Sequence, residues 1–482
     1  MSDKNKNPIV MSIDHEFAGS RFLGKNFNLN RLKINDSSFV VASVEAGNTT
    51  TKCLLTSADL KTGKTEIIGK CVRLTREIQK PADESEVFGK TIGGTEITKK
   101  TLSELVRAVI SQALFEKNLT PEDIHFVVRS TGITAETGDQ LDMIIRALAE
   151  GCLLAGFAPR KMTGYLSLEN MPEKLKPYCH LDKVYFDGAV AGVRPPAGII
   201  EGVVSNEMEG ELALAGLKEA AKHPGKDFRN PCIAIDMGTT LSGRVADGSR
   251  PYAKTAANFC GYAGAAADAF LQNIAPDKSA YEWKLPESAA ALSESAVNDI
   301  ETAAAESMKH IHVMKIPKAR RKFGSFTVNA DASIKAGTIL FGCDVGENGS
   351  DLKKLSDIGE QIYKKGGQPA VFALMDEIMS EIAVRLIDCV SQEGLLTDET
   401  CVGITGRAGI TGTKKEKIIQ KLESRGILNE PEKKLFFAED GLAHGAAVMA
   451  RCMNSLGCPM NPIGGRRGDK CIMQERRELQ NL

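Results

Sequence analysis

Two acidic residues each stand at the end of an apolar run and directly before a turn rich in glycine and threonine. Glu45 ends the run Phe39–Glu45, and Asp236 ends the run Cys232–Asp236. Glycine lets the backbone approach a ligand closely, and successive N–H groups of a turn form a cradle for an anion. A carboxylate does not bind phosphate directly. Its place beside such a turn therefore predicts a cation, typically Mg²⁺ held through its waters.

The two turns share one pattern, namely an acid, any residue, a glycine and then polar residues that end in threonine. The first copy runs from Glu45 to Thr49 and the second from Asp236 to Thr240. Apolar runs joined by such turns predict β-hairpins. Two copies at long range indicate a duplicated α/β unit rather than a short repeat. Two such hairpins facing each other would hold a polyphosphate from both sides.

The segments around these turns alternate between strand-like and helix-like periodicity, which indicates an α/β layer architecture. Around the first turn, the predicted elements are the strands Phe39–Glu45, Lys52–Thr56 and Glu66–Leu74, the helix Thr101–Glu116, the strand Ile124–Arg129, the helix Leu141–Leu154, the strand Ile199–Val204 and the helix Glu207–Lys222. After the second turn, they are the run Leu241–Val245, an alanine-rich helical stretch from Gly261 to about Lys309, a break at Gly366 and Gly367, the helix Val371–Val390, the strands Val402–Ile404 and Leu435–Phe437, and the helix Gly441–Ser455.

The composition argues against several classes of partner. Of the 482 residues, 42% are apolar and 26% are charged, and the net charge of −1 gives no overall attraction to nucleic acid or membranes. No run approaches the ~18 apolar residues of a membrane span, and the polar N-terminal residues lack the apolar segment of a signal peptide. The twelve cysteines are scattered without a CxxC pair, which favours free thiols in a reducing compartment. We therefore expect a cytoplasmic protein with neither nucleic-acid nor membrane partners.

These motifs resemble those of the ATPase superfamily that contains actin, the sugar kinases and Hsp70. The turns after Glu45 and Asp236 are similar to its two phosphate motifs. The segment Glu439–Ala447 is similar to its second connecting helix, where small residues let two helices cross closely at the hinge. The segment Gly403–Gly409 lies where the loop that contacts adenosine is expected. The resemblance implies two ribonuclease H-like α/β domains with ATP or ADP and Mg²⁺ in the cleft between them.

The resemblance also implies roles for individual residues. Glu45 and Asp236 would serve catalysis by holding Mg²⁺ through water from the two domains. The first motif usually has aspartate where this sequence has Glu45, which leaves the metal geometry and the rate of hydrolysis open. The residues implied to bind nucleotide are Gly47, Asn48, Thr49, Thr50, Lys52, Gly238, Thr239, Thr240, Gly261, Gly264, Gly403, Gly406, Arg407 and Gly409.

The segment Asn258–Gly264 is expected to open a helix, and helix N-termini bind phosphate well. It resembles the Cys-Ala-Ala-Gly-Thr-Gly loop of the 2-hydroxyacyl-CoA dehydratase activators, in which an iron–sulfur cluster bridges the two subunits of a dimer. Only Cys260 matches that loop, whereas a cluster needs four ligands, or two from each subunit of a homodimer. We favour a nucleotide-contacting loop with an incidental cysteine. The cluster and the homodimer stay open as alternatives.

Over most of its length, the chain also resembles the methanogenesis marker protein 14 family. The likeness lies in the run Val44–Lys52, the loop Gly403–Gly412 and the ending Asn461–Gly468. The same fold occurs in the reactivating ATPases of diol dehydratase and in the reductive activators of corrinoid enzymes. The resemblance implies an ATP-dependent activase or chaperone, with an enzyme of methane or corrinoid metabolism as its protein client.

Two other functions stay open. A small-molecule kinase needs a general base beside an acceptor pocket, and no Asp or Glu stands in a context that clearly supplies one. A scaffold that binds nucleotide without hydrolysing it is kept open by Glu45. The predicted divisions are an N-terminal arm at 1–37, a first domain at 38–230, a second domain with a helical insertion at 231–434, a helix returning to the first domain at 435–460, and a basic tail at 461–482.

Overall fold

The computed structural model describes most of the chain between residues 36 and 453. The described residues are 36–133, 138–162, 166–167, 183–184, 189–191, 207–247, 255–283, 292–324, 326–328, 330–335 and 337–453. Most of the predicted N-terminal arm, the predicted strand Ile199–Val204 and the predicted basic tail lie outside these residues.

The first half of the molecule is built on one principal sheet. Its described elements are β1 (Ser38–Ala46), β2 (Thr50–Asp59), β3 (Thr65–Leu74), β4 (Gly89–Lys90), β5 (Glu96–Ile97), α1 (Lys99–Glu116), β6 (Phe126–Thr131), α2 (Gly138–Leu154), β7 (Leu166–Ser167), β8 (Lys183–Val184), β9 (Ala189–Ala191) and α3 (Glu207–Lys222). The first sheet has the strand order β3-β2-β1-β6-β9. Strand β2 is antiparallel to β1 and β3, whereas β6 is parallel to β1 and β9.

The second half is built on a larger sheet. Its described elements are β10 (Cys232–Met237), β11 (Thr240–Ala246), β12 (Thr255–Tyr262), α4 (Gly264–Ala269), α5 (Glu294–His310), β13 (Ile311–Lys315), β14 (Lys322–Phe323), β15 (Phe326–Thr327), α6 (Ala330–Lys335), β16 (Ile339–Val345), α7 (Leu352–Gln392), β17 (Cys401–Thr405), α8 (Arg407–Ile410), α9 (Lys414–Ser424), α10 (Pro431–Lys434), β18 (Leu435–Phe437) and α11 (Gly441–Met453). The second sheet has the order β13-β16-β12-β11-β10-β17-β18. Strand β11 is antiparallel to β10 and β12, whereas β17 is parallel to β10 and β18.

Both sheets contain the same five-strand core. In each, three consecutive strands form an antiparallel meander, and two later strands add on the far side of the first strand, parallel to it. This order, 3-2-1-4-5, is that of the ribonuclease H-like fold. The chain therefore has the duplicated α/β fold of the actin-like ATPases, and the predicted fold class is confirmed. The second sheet extends its core with β16 and β13 beyond β12.

Two predictions about the chain after the second hairpin are only partly correct. The segment Asn258–Gly264 does lead into a helix, since α4 begins at Gly264, but all except its last two residues belong to strand β12. In β12, Ala257, Phe259 and Tyr262 belong to the main core of the second half, whereas Cys260 belongs to a smaller apolar core, so the strand is buried on both faces. In place of a helical stretch from Gly261 to Lys309, the described residues form two separate helices, α4 and α5.

Helices α3 and α11 cross between the two sheets. Helix α3 packs on β10 and β11, and α11 packs on β1 and β6. A Cβ atom added at Gly216 would lie 1.8 Å from the carbonyl oxygen of Gly441, and one at Gly445 would lie 1.8 Å from that of Leu212. The predicted close crossing is thus confirmed. The domain boundaries stay predictions, although α3 lies on the second sheet and precedes the predicted boundary.

Helix α7 supports the second sheet and is bent. Gly367 has φ 63° and ψ −159° within it, which confirms the predicted break, and Pro369 follows. The part of α7 that follows this bend is largely buried, with Leu374, Ile378 and Ile382 in the main core. Despite the 41 residues of α7, we find in the described part of the chain no helix with the length and apolar content that a membrane crossing requires.

Candidate active site

The tips of the two predicted hairpins meet between the sheets. In the β1–β2 turn, the N–H of Gly47 donates to the carbonyl oxygen of Thr50 at 2.9 Å. The hydroxyl groups of Thr49 and Thr239 share a hydrogen bond, with their Oγ1 atoms 2.6 Å apart. The structure therefore brings into contact two turns that are far apart in the sequence.

Glu45 and Asp236 lie at the ends of β1 and β10, directly behind these tips. The Nζ atom of Lys52 is 3.1 Å from Oε2 of Glu45 and 3.8 Å from Oδ1 of Asp440. Asp440 stands immediately before α11 and also forms an ion pair with Lys70. Carboxylates from the two sheets and from the start of α11 thus gather around one half-buried lysine.

Burial and mutual repulsion perturb these groups. Burial raises the pKa of Asp236 to about 7, and the nearby charge of Glu45 acts in the same direction. Burial also raises the pKa of Glu209 well above its usual range, assisted by Asp236 and Glu45. Burial alone would lower the pKa of Lys52, but the surrounding carboxylates, Glu45 foremost, raise it. A site in which acids repel one another is one that a cation would stabilise.

Sequence reasoning missed Glu209. It lies in the first turn of α3, only 5% of the residue is exposed, and its Oε1 is 2.5 Å from the point that a Cβ on Gly132 would occupy. A larger residue at position 132 would therefore displace this carboxylate. The available signal was its place near the start of a predicted helix between the two hairpins. No local motif surrounds it, because α3 rather than a strand end brings it to the site.

The acidic residues fit a hydrated Mg²⁺ better than a metal with several protein ligands. Among the described residues, no group of three or more His, Cys, Asp or Glu side chains is placed to hold a metal ion. Mg²⁺ usually keeps several waters and binds through one or two carboxylates together with phosphate oxygens. Glu45 and Asp236, each behind a turn that contains glycine and threonine, match that pattern.

Helix α4 is fixed on the second turn. The N–H groups of Ala263 and Ala265 donate to the carbonyl oxygen of Thr239 at 3.3 and 2.9 Å. A Cβ at Gly264 would lie 2.7 Å from the carbonyl oxygen of Gly238, so the two backbones touch. The structure thus places Gly264 beside the second hairpin, and the nucleotide contact expected of it stays a prediction.

Gly406 lies against the other side of the second hairpin. Its φ is 83°, and a Cβ there would lie 2.5 Å from Oδ1 of Asp236. A side chain at this position would collide with the carboxylate of Asp236 and with the backbone of Met237. Arg407 follows, at the start of α8, and its guanidinium carbon lies 3.8 Å from the ring centroid of Tyr281.

The side chain of Asn48 forms its hydrogen bonds within the first half of the molecule. Its Nδ2 donates to the carbonyl oxygen of Gly132 at 2.8 Å, and its Oδ1 accepts from the N–H of Ile92 at 3.1 Å. Both contacts position the β1–β2 turn. The nucleotide contact proposed for Asn48 would therefore have to come from its backbone.

Gly261, Gly403 and Gly409 are placed in packing contacts rather than at the hairpin tips. A Cβ at Gly261 would lie 2.1 Å from the carbonyl oxygen of Cys343, and one at Gly403 would lie 2.7 Å from Cζ of Phe228. Gly409 is likewise enclosed by side chains. These glycines permit close packing, and their role in nucleotide binding stays a prediction.

Cys260 lies in strand β12 and not in an open loop. Its side chain is fully buried in a small apolar core with Phe323 and Leu340. A cluster shared between subunits needs a thiol at a subunit surface, and this buried side chain does not provide one. Burial of this kind is common for cysteines that are not in disulfides.

The pKa of Asp236 predicts a pH dependence of cation binding. Because Mg²⁺ would displace the proton, its affinity should be about tenfold weaker at pH 6 than at pH 8. Calorimetric titration in buffers of different ionisation enthalpy should show about one proton released per ion at pH 6. Equal affinities without proton release would contradict the raised pKa. In the cation-free protein, the same group favours folding below about pH 4, and this contribution is lost as the pH rises through about 7.

The duplicated fold and its two facing hairpins define a protein of the actin-like ATPase fold. The chain belongs to the family described as "Uncharacterized protein conserved in archaea (DUF2114)", which matches residues 38–480. An uncharacterized protein of Methanocaldococcus jannaschii is 46% identical over 446 residues, which cover 92% of this chain and 91% of the relative. The narrower assignment to methanogenesis marker protein 14 stays a prediction.

Solved structures with a similar arrangement include two activators. The reductive activator for a corrinoid, iron–sulfur protein has a TM-score of 0.38 and 11% identity, covering 93% of this chain and 63% of its own. The activator of the 2-hydroxyisocaproyl-CoA dehydratase from Clostridium difficile, with bound ADPNP, has a TM-score of 0.34 and 10% identity, covering 92% and 97%. The fold itself is defined by the strand order of the two sheets.

Proposed function

We propose that the protein binds Mg²⁺–ATP between the two hairpins, hydrolyses it, and uses the resulting opening and closing of the cleft to act on a protein client. The observation that carries this proposal is the 2.6 Å contact between the hydroxyls of Thr49 and Thr239. It joins the tips of two copies of one turn, each with an acid directly behind it. Such paired anion cradles fit a polyphosphate approached from both sides.

Each group at the site has a task in this reaction. Bound Mg²⁺–ATP supplies the phosphoryl group and the cation that stabilises the acidic site. The hydroxyls of Thr49 and Thr239 and the N–H groups of the turns donate to phosphate oxygens. Lys52 offsets negative charge that develops on the phosphates. Glu45 and Asp236 hold the waters of the cation.

Glu209 accepts the proton of the attacking water. Burial raises the pKa of Glu209, which makes this carboxylate a stronger proton acceptor than an exposed one. As the water oxygen bonds to the terminal phosphorus, the bond from that phosphorus to the bridging oxygen breaks. The products are ADP and phosphate. The proton held by Glu209 passes to phosphate or solvent before the next cycle.

A protein client is favoured over a small acceptor by the form of the second half. Beyond its five-strand core, this half carries the strands β13 and β16 and the helices α4 to α7, an addition suited to protein contacts. The resemblance to marker protein 14 and the relative from Methanocaldococcus jannaschii support an enzyme of methane or corrinoid metabolism as the client. Glu209 would also serve a kinase, because this buried acid near Asp236 and Glu45 could act as its general base.

Phosphate release from ATP distinguishes the two classes. The protein is incubated with ATP and Mg²⁺ and with either the protein fraction or the small-molecule fraction of an anaerobic archaeal extract. An activase should release phosphate slowly alone and at least about tenfold faster with the protein fraction, since partner proteins accelerate other NTPases by more than this. Consumption of ATP that depends on the small-molecule fraction, without free phosphate, would instead show a kinase. In every incubation, the phosphate released with the Asp236→Asn variant serves as the background.

A further inference from the structure

Residues 279–283, here called the strap, reach from the second half of the molecule to the first. The ring of Tyr281 lies under the guanidinium group of Arg407 at 3.8 Å. The next residue, Glu282, forms an ion pair with Arg76, which follows β3 of the first half. Two neighbouring residues of the strap thus contact the start of α8 and the opposite half.

Arg76 is fixed on the first hairpin through the residue before it. The hydroxyl of Thr75 donates to the carbonyl oxygen of Gly47 at 2.7 Å. The N–H of Thr75 donates to the carbonyl oxygen of Thr49 at 2.9 Å. A movement of the first hairpin must therefore move Arg76 with it.

Glu282 is fixed on the second hairpin through α4. Its Oε2 accepts hydrogen bonds from the N–H and the hydroxyl of Ser279, at 3.1 and 3.0 Å. The N–H of Ala280 donates to Oδ1 of Asp268 at 2.6 Å, and Asp268 belongs to α4, which is bonded to the second turn. The side chain of Glu282 is only 15% exposed, so little freedom remains for it.

Trp283 anchors the far end of the strap at the bend of α7. Its ring stacks on Phe372 with centroids 5.4 Å apart and lies 6.0 Å from the ring of Tyr363. These two partners stand on opposite sides of the bend at Gly367. Trp283 is the single tryptophan of the chain, so its fluorescence reports on the strap alone.

We propose that the strap is a closure element of the cleft, in which Tyr281 positions Arg407 and the pair of Glu282 with Arg76 holds the two halves together around the nucleotide. Opening must separate the pair, because each partner is fixed on a different hairpin. Breaking it is then a step in the release of ADP. The inference rests on the proposed function, since it takes the nucleotide to lie between the hairpins.

Charge exchange tests the ion pair. Release of fluorescent ADP from the full chain is measured by stopped flow, after calorimetry has established that ADP binds. Arg76→Glu should speed release about tenfold, because attraction becomes repulsion, and Arg76→Glu with Glu282→Arg should return the rate to within about threefold of wild type. The control is Lys80→Glu, which removes an exposed pair with Glu84 inside the first half and should leave the rate unchanged.

Two further measurements use Trp283 and Tyr281. The emission of Trp283 should change when ADP binds to the wild type and should not change in Arg76→Glu. Tyr281→Ala should raise KM for ATP with little change in kcat, and Tyr281→Phe should restore it, because the ring rather than the hydroxyl contacts Arg407.

The outcomes separate the strap from the proposed function. If ADP binds but Arg76→Glu releases it at the wild-type rate, or if the exchanged pair does not restore the rate, the strap inference is wrong and the nucleotide site stands. If no nucleotide binds to the wild type, both are overturned. A melting curve for each variant shows whether the substitution has disturbed folding.

Discussion

Replacing Glu209 with glutamine is expected to lower the turnover of ATP by about 10²- to 10⁴-fold, the range for loss of a general base. Glutamine keeps the shape of the side chain but does not take up the proton of the attacking water. The affinity for ATP should hold or increase, because one negative charge near the phosphates is removed. Steady-state phosphate release and calorimetric titration of the same preparation measure both quantities.

A matched control is Glu423→Gln, on the exposed face of α9. It changes the same side chain in the same way and should leave turnover and affinity at the wild-type values. If Glu209→Gln retained the turnover of this control, Glu209 would not be the base. A loss of ATP binding in Glu209→Gln, with turnover lost only in proportion, would assign the residue to binding.

Replacing Gly445 with alanine is expected to destabilise the protein strongly. The added Cβ would lie 1.8 Å from the carbonyl oxygen of Leu212, so the backbones of α3 and α11 must separate. Overpacking against a flexible side chain costs about 1–3 kcal/mol, and a backbone obstacle should bring the loss to at least about 3 kcal/mol. Thermal unfolding followed by circular dichroism should show a lower Tm, by roughly 2–4 °C for each kcal/mol.

The control for this substitution is Gly89→Ala. Nothing lies within 4 Å of a Cβ at Gly89, so its Tm should remain near that of the wild type. If the Gly445→Ala variant had the same Tm as the Gly89→Ala variant, the close crossing of α3 and α11 would be wrong. Because these helices pack on different sheets, the same variant should also weaken the coupling of movements between the two halves.

The features that sequence predicted best are those encoded by contiguous residues. The acid, glycine and threonine of each hairpin stand within five positions. The apolar runs on either side are enough by themselves to predict the strands β1, β2, β10 and β11. The repeat of this pattern was enough to predict a duplicated fold. Helices α1 and α2 were predicted for the same reason, since their periodicity is local.

The features that sequence missed depend on contacts between distant segments. The prediction for Asn258–Gly264 misses strand β12, because this strand is set by pairing with β11 and β16 on either side. Glu209 and Asp440 reach the site only through the placement of α3 and α11. The strap carries no periodicity, and its role becomes visible only when Glu282 meets Arg76 from the other half.

Calorimetric titration of ATP into the wild type and into Asp236→Asn, with and without Mg²⁺, tests the central claim most directly. The account predicts binding at one site per chain in the wild type, tighter with Mg²⁺, and about 10- to 100-fold weaker cation-dependent binding in Asp236→Asn, the usual effect of losing an outer-shell partner. No binding to the wild type, or the same Mg²⁺-dependent affinity in both proteins, would show that the acids behind the two hairpins do not serve a nucleotide.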